Sequence, residues 1–243
     1  MNRKGLDKPG LILIMSIVIG HAIKHIYNSG FESIIFPEIK TSLRLNNTLL
    51  GTLATPRQIG AGGSTFVAGY LGDRFSRHTG ILLSLSLAIM GISYLFVGLS
   101  TLYWIMLLAM FISGIGPSLY HPPALGALSR RFPENKGLAI SLHGTGGSIG
   151  QAIGPLAAGF FIIFAASNGA SNDAGWRMTM QWSVIPALVA AISIWIALRG
   201  VPKGEEIISS FRDYVGPIGK LLRQRSLVGI LTIASLRNLG VSA

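Results

Sequence analysis

Long stretches without charge, separated by short polar ones, organise this chain. About 20 consecutive apolar residues cross the hydrocarbon core of a bilayer, so such stretches read as membrane-spanning helices. The cleanest runs from Met178 to Leu198, held between Arg177 and Arg199. Thr79 to Ser129 contains no Lys, Arg, Asp or Glu and is long enough for two helices, with Ser100-Thr101 as the turn. Gly137 to Asn172 is interrupted only by His143. Pro9 to Pro37 and Asn47 to Gly72 are apolar but carry ionisable groups, and a last apolar run begins at Leu227. The pattern predicts an all-α membrane protein with six complete spans and the start of a seventh. Its expected divisions are a six-helix transmembrane bundle over 1–199, a cytoplasmic linker over 200–226 and the start of a second bundle over 227–243.

Basic residues orient the spans. The segments 1–8, 72–79, 129–137 and 199–226 hold fourteen Lys and Arg, against three in 37–46, 98–103 and 167–177. Lys and Arg collect in cytoplasmic loops, so the N-terminus is expected inside, in a prokaryotic plasma (inner) membrane. Arg3, Lys4 and Lys8 before Leu11–Gly20 resemble the start of a signal peptide. His21, Lys24 and His25 then stand where small residues would mark cleavage, so no cleavage is expected. The linker alternates charge with Ile207, Ile208, Phe211 and Tyr214, a pattern equally suited to a surface-lying amphipathic helix and to a solvated connection.

Composition narrows the function. Half of the 243 residues are hydrophobic and only 12% are charged, with a mean hydropathy of +0.56. A soluble domain carries about a quarter charged residues, so a soluble enzyme is excluded. The net charge of +11 is assigned to cytoplasmic loops, and no nucleic-acid partner is expected. With no cysteine, thiol chemistry and thiolate metal sites are impossible.

Between spans two and three the chain reads Gly69-Tyr-Leu-Gly72-Asp73-Arg74-Phe75-Ser76-Arg77-His78. This resembles the signature loop of the major facilitator superfamily, departing from it at Ser76 and His78. Locally, Gly69 and Gly72 permit close helix approach, and Asp73 can pair with a cation or cap the next helix. Arg74 and Arg77 hold the loop on the cytoplasmic side. The resemblance implies a gating role for Gly69, Asp73, Arg74 and Arg77. Gly150, Gly154, Pro155 and Gly159 resemble the family's Gly-Pro packing motif. This glycine-rich run lacks the Gly-Lys-Ser/Thr ending of a phosphate loop, so helix packing is the expectation and no cofactor is. Tyr120-His121-Pro122-Pro123 is similar to the fosmidomycin-resistance-type branch, with Pro123 in place of an acidic residue. Met110 stands where many proton-driven antiporters of the superfamily carry Arg. The resemblance covers the chain as the N-terminal half of a twelve-helix fold, with a second six-helix half as partner.

Ionisable groups within membrane spans are costly and mark candidate sites. His21, Lys24, His25, Asn28 and Glu32 repeat every three or four residues and share one face of span one. Span two adds Arg57 and Gln58 beside Pro56, and His121, His143 and Arg237 lie in later spans. For His121 and His143 taken singly, a packing role is the stronger reading. His21 and His25 lack the glutamate of an HExxH motif and flank Lys24, so no metal site is expected. No nucleophile–base set stands at a recognisable spacing, so no enzyme is expected. Basic groups outnumber the single acid Glu32, which suits an anionic substrate gripped by Arg. The expected function is secondary transport of a small organic anion or drug-like compound, proton-coupled through Glu32, by efflux and alternating access. The alternative is a non-transporting membrane scaffold or regulatory six-helix fragment.

Overall fold

The computed structural model describes residues 7–169, 174–201, 210–221 and 223–241. Helix α1, Lys8–Gly30, starts where the Asp7 carboxylate accepts from Gly10 N–H at 3.0 Å and Pro9 sits in the first turn. Both are N-terminal helix signals. A π-helical turn, Phe31–Ile35, carries α1 into α2, Phe36–Ser42. Arg44, at φ 49°, lies in the turn that follows. Helix α3, Asn47–Arg74, is capped by Asn46, which accepts from Leu49 N–H at 2.8 Å. The chain continues through α4 (Thr79–Leu99), α5 (Tyr103–Ser118), α6 (His121–Arg131) and α7 (Lys136–Ser167). It ends with α8 (Gly175–Trp182), α9 (Val184–Arg199), α10 (Phe211–Leu221) and α11 (Arg225–Val241).

Among the described residues five helical stretches are long and apolar enough to cross a membrane: Lys8–Ser42, Ser76–Leu99, Tyr103–Arg131, Pro133–Ser167 and Gly175–Arg199. The predicted second span is α3. At 1.5 Å per residue its 28 residues reach about 42 Å, long enough to span. Its glycines, threonines, Arg57 and Gln58 leave it less apolar than the others. The expected α4–α5 turn falls at Ser100–Leu102. Pro56 does not interrupt α3.

Helix α1 packs along α7, α3 along α5, and α4 against α5 and α9. Glycine makes the closest crossings possible. A Cβ on Gly146, Gly150 or Gly154 would stand 2.5, 2.1 or 2.6 Å from the carbonyl oxygens of Val18, Ala22 and Ile26. The α7 backbone therefore rides on that of α1, the small-residue packing that membrane bundles use. Gly60 and Gly114 do the same for α3 and α5, against Phe111 O and Arg57 O at 2.2 and 2.0 Å. Among the described residues Gly159 has nothing within 4 Å, whereas the neighbouring Ala158 is buried in the core. The interior is filled by Ile17, Leu53, Leu87, Met90, Tyr94, Met110 and Tyr120, each fully buried. Large apolar side chains cover the perimeter, Trp104 being 78% exposed and Leu156 75%. An apolar surface this extensive suits lipid.

Candidate functional site

The polar stripe of α1 lands on the inner side of the bundle and divides into two neighbouring groups. The first lines a cavity of about 260 Å³ whose walls include Lys24, Asn28, Glu32, Arg57, Gln58, Gly114 and His121. Glu32 lies in the π-helical turn that ends α1, a distortion that frequently accompanies functional sites. Its Oε1 accepts from Arg57 Nη1 at 2.7 Å. The Arg57 side chain is 13% exposed and that of Glu32 59%. Behind the pair, the Arg57 guanidinium lies 5.4 Å from the centre of the Phe31 ring. Its Nε is buried without a hydrogen-bond partner. Gly114 lets the α5 backbone close on Arg57 itself, which holds the backbone of this residue in place. Asn28 Oδ1 accepts from the buried Tyr94 hydroxyl at 3.4 Å. Tyr94 and Phe31 had no polar periodicity to mark them in the sequence, because each sits in an apolar run.

The second group is a nest of imidazoles. Lys24 Nζ bonds to His121 Nε2, and His121 Nδ1 lies 3.4 Å from His143 Nε2. His21 stacks on His143 with ring centres 3.7 Å apart, and its Nδ1 donates to His143 O at 2.6 Å. His25 meets His21 edge-on at 4.6 Å, and Gln151 Nε2 stands 3.4 Å from its Nδ1. The packing reading of His121 and His143 taken singly gains a further feature, since the two pack against other histidines. Helices α1, α6 and α7 bring four of the five histidines together, which no spacing along one helix could reveal. Arg237 lies in α11, but its side chain is outside the described residues.

The signature loop forms a separate centre at the other end of α3. Asp73 pairs with Arg130 of α6 at 3.8 Å and does not cap α4, whose N-cap residue is His78. Arg131 bonds to Asp7, tying α6 to the start of α1. That bond holds the Asp7 carboxyl below its ordinary value. Arg74 lies 5.6 Å from the Phe75 ring, and Arg77 joins Arg130 and Arg131 around a cavity of about 240 Å³. Gly72 abuts Pro123, where an added Cβ would stand 3.1 Å from the proline backbone. At Gly69 the same atom would stand 2.2 Å from the Tyr214 hydroxyl, which takes the space a side chain would need. Gly69 thus accommodates α10, whose Phe211 and Tyr214 rings pack on Phe66 and Tyr70. Burial, then the nearby Asp73 charge, raises the Tyr214 hydroxyl above its ordinary value.

A helical bundle with an apolar perimeter, a polar interior cavity and an ion-paired loop at one end defines an integral, multi-pass membrane protein. The profile of the Major Facilitator Superfamily matches residues 17–242, and the chain belongs to that family. Similar proteins include the uncharacterized MFS-type transporter YfnC of Bacillus subtilis, 26% identical over 81% of this chain and 46% of its own length. The fosmidomycin resistance protein of Escherichia coli is 25% identical over 75% of this chain and 45% of its own. The chain therefore spans about half the length of these relatives. Among solved structures, a bacterial homologue of the human lysosomal transporter Spinster, in an inward-facing and unoccupied conformation, superposes with a TM-score of 0.68. It is 21% identical, over 85% of this chain and 46% of the other. A bacterial homologue of the human drug peptide transporters PepT1 and PepT2 gives 0.70 at 14% identity, over 95% and 55%. These likenesses show the fold.

Proposed function

We propose that this chain supplies the N-terminal half of a secondary transporter that moves a small organic anion or drug-like compound by proton-coupled alternating access. The observation that carries the reading is the charge of the 260 Å³ cavity: Lys24 and Arg57 line it, with Glu32 as the one acid among its lining residues. Arg presents a planar fork that matches a carboxylate or phosphonate, and Lys adds a point charge. Asn28, Gln58 and His121 supply neutral hydrogen-bonding groups on the same walls. His21, His25 and His143 stand behind Lys24 and His121 and position them. The second six-helix half completes the cavity, with Arg237 on its first helix.

Proton coupling follows from competition for Arg57. Glu32 occupies the guanidinium at 2.7 Å, and a bound anion needs the same donors. Protonation of Glu32 releases Arg57 to the anion, and loss of the anion returns Arg57 to ionised Glu32. Asp73 and Arg130 gate the cytoplasmic end by pairing and parting as the halves rock. The test is ligand binding by purified protein in lipid nanodiscs, comparing organic anions, cations and neutral compounds. Arg57→Ala or Lys24→Ala is expected to weaken anion binding roughly ten- to hundredfold, the equivalent of about 1.5–3 kcal/mol for a charge-assisted hydrogen bond. Arg57→Lys restores part of the loss. Cation binding that survives both alanine variants unchanged would overturn the anion reading.

A further inference from the structure

We propose that His21, His25 and His121 form a binding site for a borderline transition-metal ion such as Zn²⁺ or Co²⁺, bridging α1 and α6. One donor nitrogen from each residue lies within 4.8 Å of the others. A tetrahedral ion with bonds of about 2.0–2.1 Å holds its nitrogens roughly 3.4 Å apart. Closing the cluster therefore takes about an ångström of ring movement. His21 is prepared for this role. It is 4% exposed, its Nδ1 is committed to His143 O at 2.6 Å, and its Nε2 is buried with no hydrogen-bond partner. An imidazole fixed through one nitrogen by a backbone carbonyl, with the other lone pair unclaimed, is the arrangement seen around protein-bound metals. His25 follows at i+4 on the same helical face. His121 also lines the polar cavity, the side from which a fourth ligand would reach the ion. Imidazole donors without thiolate or carboxylate suit Zn²⁺, Co²⁺, Ni²⁺ and Cu²⁺ and disfavour Ca²⁺ and Mg²⁺.

Lys24 opposes the ion. Its ammonium holds His121 Nε2 and places a like charge beside the site. The ion must displace that bond or take His121 through Nδ1, at the expense of the 3.4 Å contact with His143. Lys24 therefore acts as a competing cation that weakens metal binding, and its removal strengthens it.

Zn²⁺ and Co²⁺ are titrated into the tag-free 243-residue chain in lipid nanodiscs, by calorimetry and by the visible absorption of Co²⁺. The expected result is one ion per chain with the intense absorption of tetrahedral Co²⁺. His21→Gln, His25→Gln and His121→Gln each weaken binding by more than about a hundredfold, whereas His143→Gln, which keeps the backbone carbonyl that holds His21, weakens it by less than about tenfold. Lys24→Met tightens binding on the order of tenfold or more, and His78→Gln, in the basic loop, leaves it unchanged. X-ray absorption on the unsubstituted chain, which does not depend on how any variant folds, is expected to report three imidazoles around Zn²⁺. Fewer than three imidazoles, an ion lost on His78→Gln, or Lys24→Met binding no tighter than the native chain overturns the proposal.

Discussion

Glu32 and Arg57 meet at 2.7 Å from unequal surroundings, one side chain half-exposed and the other buried. Exposed ion pairs are worth about 0.2–1 kcal/mol, whereas breaking a buried one costs about 3–5 because a charge is stranded. This pair lies between. Glu32→Gln is expected to lower unfolding free energy by about 1–2 kcal/mol, measured by denaturation in detergent micelles. An unchanged midpoint would show that Arg57 finds its compensation elsewhere. The Asp7–Arg131 bond gives a pH dependence of known sign. The folded Asp7 carboxyl ionises below its ordinary 3.8, so its contribution is complete above that value and is lost as pH falls through the lower, folded one. Amide hydrogen exchange in the first turn of α1 should accelerate as pH is lowered below about 4, beyond the intrinsic pH effect. Asp7→Asn should show the fast behaviour at every pH.

At the scale of the elements, glycine positions separate those that set helix spacing from those that merely occupy a helix. A methyl group at Gly150 would meet Ala22 O at 2.1 Å, so α1 and α7 must part to admit it. Overpacking of this kind costs about 1–3 kcal/mol. Gly150→Ala should therefore destabilise the bundle by that amount in a thermal or chemical unfolding series. Gly144→Ala and Gly159→Ala, with nothing within 4 Å, should be neutral or slightly stabilising through better helix propensity. Equal effects at all three positions would contradict the packing account. The glycine-rich face of α7 was legible in the sequence as a packing surface. Which glycines touch α1 was not, because contact depends on the rotation of one helix about its neighbour. The same holds for Gly69, whose small size accommodates Tyr214 rather than a helix backbone.

For the whole molecule, the basic asymmetry makes a test of orientation independent of any ligand. The chain lacks cysteine, so single cysteines report exposure without background. Leu99→Cys and Gly169→Cys should react with an impermeant thiol reagent added to intact cells, while Phe75→Cys reacts only after the membrane is opened. The reverse pattern would place the N-terminus outside. The ion pairs of Asp73 with Arg130 and Asp7 with Arg131 lie at the Phe75 end of the bundle.

By itself the sequence determined the class of protein, the helical spans, the turn at Ser100–Leu102, the polar stripe of α1 and the family motif around Asp73. Each is local: hydrophobic length, residue spacing and a contiguous string of residue types carry it. Tertiary structure decided the rest. Arg57 is 25 residues from Glu32, and the two meet only because the fold sets α3 beside the π-helical turn that ends α1. His143 is 122 residues from His21, and their rings stack because small residues on α7 let it lie against α1, while His121, 97 residues from Lys24, reaches it from α6. A lone intramembrane histidine reads from sequence as a packing residue, since its partners are fixed by helix rotation and register. Those are set by how side chains interlock across the bundle, and no periodicity along a single helix records them.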